Sequence, residues 1–395
     1  MEDNPLLSLP RPIVEALFKC AENEAQTIKA RIARLSSKVN ELKKVFNFKE
    51  LSPKRPGIVV AVDGSMSSSP SRRLGSEFSI YTAGYIAFKD LQVIDEKYHA
   101  GSLSWSEGFK TFKVLLRLLM AYAERLAALE ALKSVNPDYV ILDGPFFYFK
   151  YYAKAVRHVR IGVEGFDSGR DLIRAVTEAT LKLIESRKAV CIIRRSAMRA
   201  IDGWLLYNHG VDACIGTRDK HVMAMILPPR SLWSYSSIMG NRHPVHYAIF
   251  YAEYVKLRGL GKSLDELESS KEELIDDIEE RWRESFRSNL DLSEPPKLNR
   301  YYIRYSATAP PFEVEAPPDL DVVDFASQML SFHNPATGLP MPSDLIDAVV
   351  SLPRGSTTIF TEEVEAKLVK DPSIIDKTLI SDYFSYLNPQ KREYV

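Results

Sequence analysis

Two aspartates open the case for chemistry. Asp63 and Asp143 each end a continuous apolar run, Ile58-Val59-Val60-Ala61-Val62 and Tyr139-Val140-Ile141-Leu142, and each is followed by glycine. A run without polar alternation reads as a strand buried on both faces. In αβ sheets the carboxyl ends of such strands deliver side chains into a ligand crevice. If the two strands are neighbours their carboxylates crowd, and hard oxygen donors in that arrangement suit Mg2+ or Mn2+. The plain alternative is that each Asp-Gly pair makes a turn at a strand end.

Glu124 strengthens the chemical reading. Its helical neighbours, Met120, Ala121, Ala127 and Ala128, are small or apolar, so a carboxylate here costs free energy unless paired or metal-bound. Glu130, beside Lys133 and Ser134, reads as solvated. The alternative for Glu124 is a rim position with a salt-bridge partner. Two arginine pairs are candidates for contacting a phosphate chain. Arg72 and Arg73 lie in the Ser-rich loop after Asp63; Arg194 and Arg195 end a third apolar run, Ala189-Val190-Cys191-Ile192-Ile193. The latter pair otherwise reads as an exposed strand end.

The elements that must position these groups have a readable rhythm. After a first strand ending at Asp63 come β-prone runs near 77–87 and 90–98, then a helix over about 105–134. The strand ending at Asp143 follows, a helix over about 169–187, and the third apolar strand. The order β-β-β-α-β-α-β, with short turns first and helical crossovers after, gives a mixed sheet whose central strands are parallel. That is an RNase H-like α/β fold. Upstream, residues 11 to about 47 form one long helix with Pro12 in its first turn and an apolar stripe at Ile28, Ile32, Leu35, Val39, Leu42 and Phe46. The stripe packs on the protein's own body or joins a dimer or partner. The expected organisation is a long N-terminal helix in 1–50, a nuclease-like domain in 57–350 carrying a helical insertion at about 236–298, and a helical tail in 351–395. Residues 262–290, Asp265 to Arg287 among them, read as a charged helix with a solvated face.

Bulk composition narrows the classes. The chain has 395 residues, 45% of them hydrophobic and 26% charged, as in a soluble globular protein, and no stretch nears the roughly 20 apolar residues of a membrane span. The acidic start lacks the apolar core of a secretory signal. Three single cysteines, Cys20, Cys191 and Cys214, form no CxxC pair and point to a reducing, cytoplasmic setting. Lys+Arg and Asp+Glu are equal at 52 each, which disfavours a passive nucleic-acid binder but not an enzyme holding DNA in one local groove. No phosphate-cradling GxxxxGK[ST] loop, zinc-type Cys/His spacing or GxSxG elbow is present. His243 and His246 flank Pro244 and read as non-ligands.

With these residues in view, the chain resembles the NurA nuclease family. The resemblance rests on Ala61-Val62-Asp63-Gly64-Ser65, Glu124, Ile141-Leu142-Asp143-Gly144, Gly216-Thr217-Arg218-Asp219-Lys220, Tyr302-Ile303-Arg304 with Phe312-Glu313-Val314-Glu315, and Gly338-Leu339-Pro340-Met341-Pro342. It implies a manganese-dependent nuclease acting on single- and double-stranded DNA, a homodimer, and work with a HerA-type hexameric ATPase in DNA end resection. It assigns Asp63, Glu124 and Asp143 as metal ligands. Asp347 falls where the family carries a His or Asp near the active site, with Asp344 the alternative. Arg194-Arg195 replaces the family's usual Ile-Ser-Lys, and Pro145 replaces a Ser after Asp-Gly. Two other classes stand beside this one: another RNase H-like nuclease, acting on RNA or junctions, and a non-catalytic scaffold for a motor ATPase.

Overall fold

The computed structural model describes residues 4–163, 165–260, 270–374 and 376–388. A short 3-10 turn (Pro5–Ser8) precedes α1 (Arg11–Val45). Then come β1 (Lys49–Glu50), β2 (Ile58–Met66), β3 (Ser71–Arg72), β4 (Glu77–Lys89), β5 (Gln92–Trp105), α2 (Phe109–Ser134) and β6 (Tyr139–Asp143). The middle of the chain forms α3 (Lys150–Val156), β7 (Arg160–Val163), β8 (Phe166–Ser168), α4 (Gly169–Glu185), β9 (Ala189–Ile193), α5 (Ala200–His209), α6 (Asp219–Ile226) and β10 (Ser231–Ser234). It continues with α7 (Ser236–Met239), α8 (Pro244–Gly259), α9 (Lys271–Leu290), β11 (Asn299–Arg304), β12 (Phe312–Ala316), α10 (Val322–Leu330), α11 (Met341–Val350), α12 (Ser356–Lys370) and α13 (Lys377–Phe384).

The three apolar runs form the centre of one sheet ordered β1-β10-β11-β12-β9-β6-β2-β4-β3, with β5 also on β4. β2, β6 and β9 are mutually parallel, while β4 pairs antiparallel with β2 and β5 with β4. This is the expected RNase H-like arrangement. Successive side chains of a strand point to opposite faces, and the core divides accordingly. Val60, Val62, Val140, Leu142, Ala189 and Cys191 pack with α2, α3 and α4. Val59, Ala61, Tyr139, Ile141, Val190 and Ile192 pack with α10 and α11. Burial on both faces is why these strands carry no polar alternation.

Several expectations shift at their edges. β5 runs on to Trp105 and α2 starts at Phe109, because pairing with the long β4 extends the strand beyond its apolar stretch. The α3 turn and the β7–β8 hairpin, too short for a periodic signal, fill the crossover between β6 and α4. Within the expected charged helix over 262–290, α9 is not wholly solvated: it buries Ile275, Ile278, Phe286 and Leu290, while residues 262–269 lie outside the described residues. Among the described residues no helix is long and apolar enough to cross a membrane.

α1 divides in two. Val39, Leu42 and Phe46 are buried, with Leu35 packed beside them, and the Phe46 ring stacks on Trp233 at 4.9 Å between centroids. Ile13, Leu17, Phe18, Ile28 and Ile32 are exposed. Self-packing therefore accounts for only the C-terminal part of the stripe. Phe46→Ala should cost about 3 kcal/mol of stability through the cavity it leaves. Ile32→Ala, at a site 60% exposed, should stay within about 0.5 kcal/mol of wild type. Denaturant unfolding of both variants checks the contrast, and equal losses would contradict this docking of the helix.

Candidate active site at the end of the central strands

Strand parity assembles the first half of the site. Asp63 continues the Val59-Ala61 face, Asp143 the Tyr139-Ile141 face and Arg194 the Val190-Ile192 face, so all three project toward α11. The Arg194 guanidinium lies among the carboxylates. Its Nε donates to Asp143 Oδ1 at 2.9 Å and its Nη2 lies 2.8 Å from Asp143 Oδ2, a bidentate pair. Nη1 donates to Asp347 Oδ2 at 3.0 Å, and Nη2 stands 3.5 Å from Asp63 Oδ2. α11 closes the recess with Ser343 and Ile346, leaving a small opening bounded by Asp63, Asp143 and Arg194. Asp347, rather than Asp344, reaches this cluster. Asp344 instead accepts hydrogen bonds from Asn334 and Thr337 and fastens the turn before α11.

Glu124 arrives from the opposite face of the sheet. Gly64 makes this possible: a Cβ there would lie 3.1 Å from Met120 Cγ and 3.7 Å from Glu124 Cβ, so the missing side chain lets α2 lie close against the end of β2. The second glycine has a different purpose. Gly144 has φ +74°, a left-handed turn that glycine takes without steric cost and that leads the chain away after Asp143. Glu124 is 2% exposed. It accepts from Arg125 Nη1 at 2.7 Å and from the Tyr148 hydroxyl at 3.4 Å. The fully buried Arg125 also donates to the Phe146 carbonyl at 3.3 Å. Glu130 is partly exposed and bonded to Lys97 and His99.

The remaining arginine candidates separate. Arg195 is exposed beside the site. Arg72 pairs with Glu77 at 3.4 Å. Arg73 is corrected as a DNA contact: it is buried, donates to Ser71 and to the Phe384 carbonyl, and lies against the Tyr386 ring, so its guanidinium presents no open face. Sequence reasoning missed the supporting groups. Lys220 donates to the Arg194 carbonyl at 2.7 Å and fixes that turn. Asp219 accepts from the backbone N–H groups of Ala200 and Ile201 at the start of α5. Buried Glu315 accepts from the Phe146 N–H at 2.8 Å and pairs with Arg300. The Asp219-Lys220 step and the Glu313-Glu315 alternation were the available signals.

The electrostatics of the cluster call for cations. Burial, reinforced by the Asp143 and Glu124 charges, pushes the Asp63 carboxyl up to about 9 despite Arg194 and the Gly64 N–H. Burial also raises Glu124, with Arg125 opposing it. For Arg194, burial disfavours the cation, but the Asp143 and Asp347 carboxylates outweigh it and hold its pKa above the ordinary arginine value. Among the described residues no three Asp, Glu, His or Cys side chains form a metal-holding group; Arg194 lies between Asp63, Asp143 and Asp347. The donor chemistry nevertheless fits a hard divalent ion: all the candidate ligands are carboxylates, and Asp63 is short of positive charge.

A stability consequence follows from Asp63. An acid whose folded pKa exceeds its unfolded value contributes fully only while both states are protonated. The loss begins as pH passes the ordinary 3.8 and grows until about 9. Asp63→Asn should therefore melt at or above the wild-type temperature in EDTA at pH 8, with the difference shrinking toward pH 4. A variant melting below wild type at pH 8 would contradict the crowding.

No curated protein matches the chain by sequence. Among solved structures, the NurA nuclease from Sulfolobus solfataricus is similar at 16% identity and TM-score 0.58, covering 92% of this chain and 98% of that one. A structure of NurA with manganese is similar at 11% identity, TM-score 0.38, and 93% and 99% coverage. Ciona intestinalis endonuclease V, in complex with a 24mer DNA containing an inosine, shows 13% identity, TM-score 0.31, and 84% and 99% coverage. The family model of the NurA domain matches residues 57–351, which takes in both Asp-Gly strand ends, Glu124, Arg194 and Asp347; the chain belongs to the NurA family of nucleases.

Proposed function

We propose that the acid cluster hydrolyses phosphodiester bonds of single- and double-stranded DNA with a divalent metal, Mn2+ or Mg2+. One observation carries the reading: Asp63, Asp143 and Asp347 meet around Arg194 at the ends of parallel strands, with Glu124 in their electrostatic field. Asp63, Glu124 and Asp143 would hold the metal, and Asp347 would stand beside them. When bound, such an ion lowers the pKa of a water and offsets negative charge on the phosphate.

The chain's own residues do the rest. Arg125 holds the Glu124 carboxylate in one orientation, and Tyr148 supports it from the loop after β6. Arg194, anchored through its carbonyl by Lys220, presents a fork suited equally to carboxylate and phosphate oxygens. With the acids occupied by metal it is the group best placed to orient the scissile phosphate, with Arg195 beside it and Arg72 along the approaching strand. The exposed apolar residues of α1 support a role in assembly, as a homodimer working with a HerA-type hexameric ATPase in end resection at DNA breaks. Cytoplasmic residence accords with three unpaired cysteines.

Asp63→Ala and Asp143→Ala should each remove Mn2+-dependent cleavage of labelled single- and double-stranded DNA by at least about a thousandfold, comparable to losing an essential charge-stabilising group. Glu124→Gln should do nearly the same, while Glu130→Gln stays within twofold. Retained cleavage in either aspartate variant, or equal effects at the two glutamates, would refute the ligand set. The assembly reading has its own check, by measuring mass and duplex-end cleavage with and without a HerA-type ATPase. A monomer unaffected by the ATPase would remove it and leave the carboxylate chemistry standing.

A further inference from the structure

The loop that leaves Asp143 does not simply return to the surface. It runs through Pro145 into α3 and forms one wall of a second cavity, open to solvent, whose facing wall is α9. Phe147, Tyr148, Tyr151, Trp282 and Phe286 line it together with Lys150. Tyr148 belongs to both places, since it lines the cavity and its hydroxyl donates to Glu124. Tyr151, 68% exposed, stands at the mouth.

Lys150 is the anomaly. Its side chain is 1% exposed, and among the described residues no carboxylate pairs with its ammonium. The ammonium donates to Ser285 Oγ at 2.7 Å and lies 3.4 Å from the Trp282 ring centroid and 4.1 Å from that of Phe286. An ammonium has three N–H donors, and only one of them has a hydrogen-bond acceptor here. Glu315, which also lines the cavity, is bonded to Arg300 and the Phe146 N–H instead. Burial lowers the Lys150 pKa to about 7, as expected of a cation without an anion. Buried lysines are rare unless paired. A ligand bringing an acceptor edge would satisfy the amine, and a flat ring on that ligand would meet the exposed Tyr151 beside it.

We propose that this cavity is a nucleobase pocket: it seats one base of the strand whose phosphate lies at the acid cluster, with the ring against Tyr151 and an acceptor of its edge at Lys150. The proposal rests on the nuclease reading for the identity of the strand. Its physical content is stacking, which every base offers, and one hydrogen bond from a donor already buried. It also gives α9 a role. The helix carries Trp282, Ser285 and Phe286 on one turn and so builds the wall that the sheet alone lacks.

Saturation-transfer NMR on the full-length protein in EDTA tests the pocket without metal. The probes are deoxyadenosine 5′-monophosphate and, lacking the base, 2-deoxyribose 5-phosphate. The nucleotide should show its strongest saturation on the base protons and the sugar phosphate none. Lys150→Met and Tyr151→Ala should each weaken nucleotide binding at least tenfold. Tyr151 is exposed, so its variant reports on the pocket even if Lys150→Met fails to fold. Absence of base saturation with wild type, or unchanged titration in Tyr151→Ala, would overturn the proposal. Cleavage of single-stranded DNA with Mn2+ by the same preparation separates the two readings. Cleavage without base saturation defeats the pocket alone, and base saturation without cleavage defeats the nuclease reading while the pocket stands.

Discussion

Crowded negative charge at the carboxyl ends of β2 and β6 is the constraint around which the structure is arranged. The two strands are adjacent and parallel, and Asp63 and Asp143 fall on the same face, so their repulsion is built into the register. Moving either strand by one residue would turn its aspartate to the other face. The fold answers with two guanidinium groups on opposite sides of the sheet. Arg194 lies among Asp63, Asp143 and Asp347, and Arg125 neutralises Glu124. Even so, Asp63 stays so short of compensation that its proton is held far above the usual carboxylate range. A further positive charge beside Asp63 would favour its ionised form.

The same charges organise the second layer. The peptide at Phe146 is held from both directions, its carbonyl by Arg125 and its N–H by Glu315. Glu315 belongs to β12 and is itself held by Arg300 of β11. A chain of buried ion pairs, joined by hydrogen bonds to the Phe146 backbone, thus runs from α2 through the loop after Asp143 to the far half of the sheet. Buried ion pairs are weak sources of net stability, because desolvation offsets most of the attraction, but breaking one partner is costly. Their effect here is positional, since the loop carrying Asp143, Tyr148 and Lys150 cannot shift without stranding a charge.

What was legible in the sequence follows from how local each signal is. β2, β6 and β9 announced themselves because burial on both faces removes polar residues from the run. Glu124 could be found because its i±3 and i±4 neighbours were apolar. Its partner Arg125 escaped attention because adjacent helical residues ordinarily diverge; they meet here only because both side chains are buried under the loop after β6. Arg194 was visible as a phosphate candidate, but its position among the acids depends on parity, and counting by two from Val190 places it on the face of Asp63 and Asp143. Arg73 failed for the opposite reason. Its burial is made by α13 and the chain beyond, which are distant in sequence and carry no mark of where they dock. The α3 turn and the β7–β8 hairpin were too short for any period to emerge.

The two Asp-Gly steps show why a repeated motif need not have a repeated cause. At Gly64 the requirement is space: without a side chain, the end of β2 approaches α2 closely enough for Glu124 to enter the field of Asp63. At Gly144 it is backbone conformation, a positive φ that turns the loop toward Tyr148 and Lys150. A Cβ at the first glycine would crowd the Met120 side chain and come into contact with Glu124 Cβ. At the second it would strain the turn while leaving Asp143 paired in register with Ile192. The first glycine therefore bears on the packing of α2 against the end of β2, and the second on the path of the loop that leaves the site. In this fold those are separable properties, because they are set on different faces of the same sheet edge.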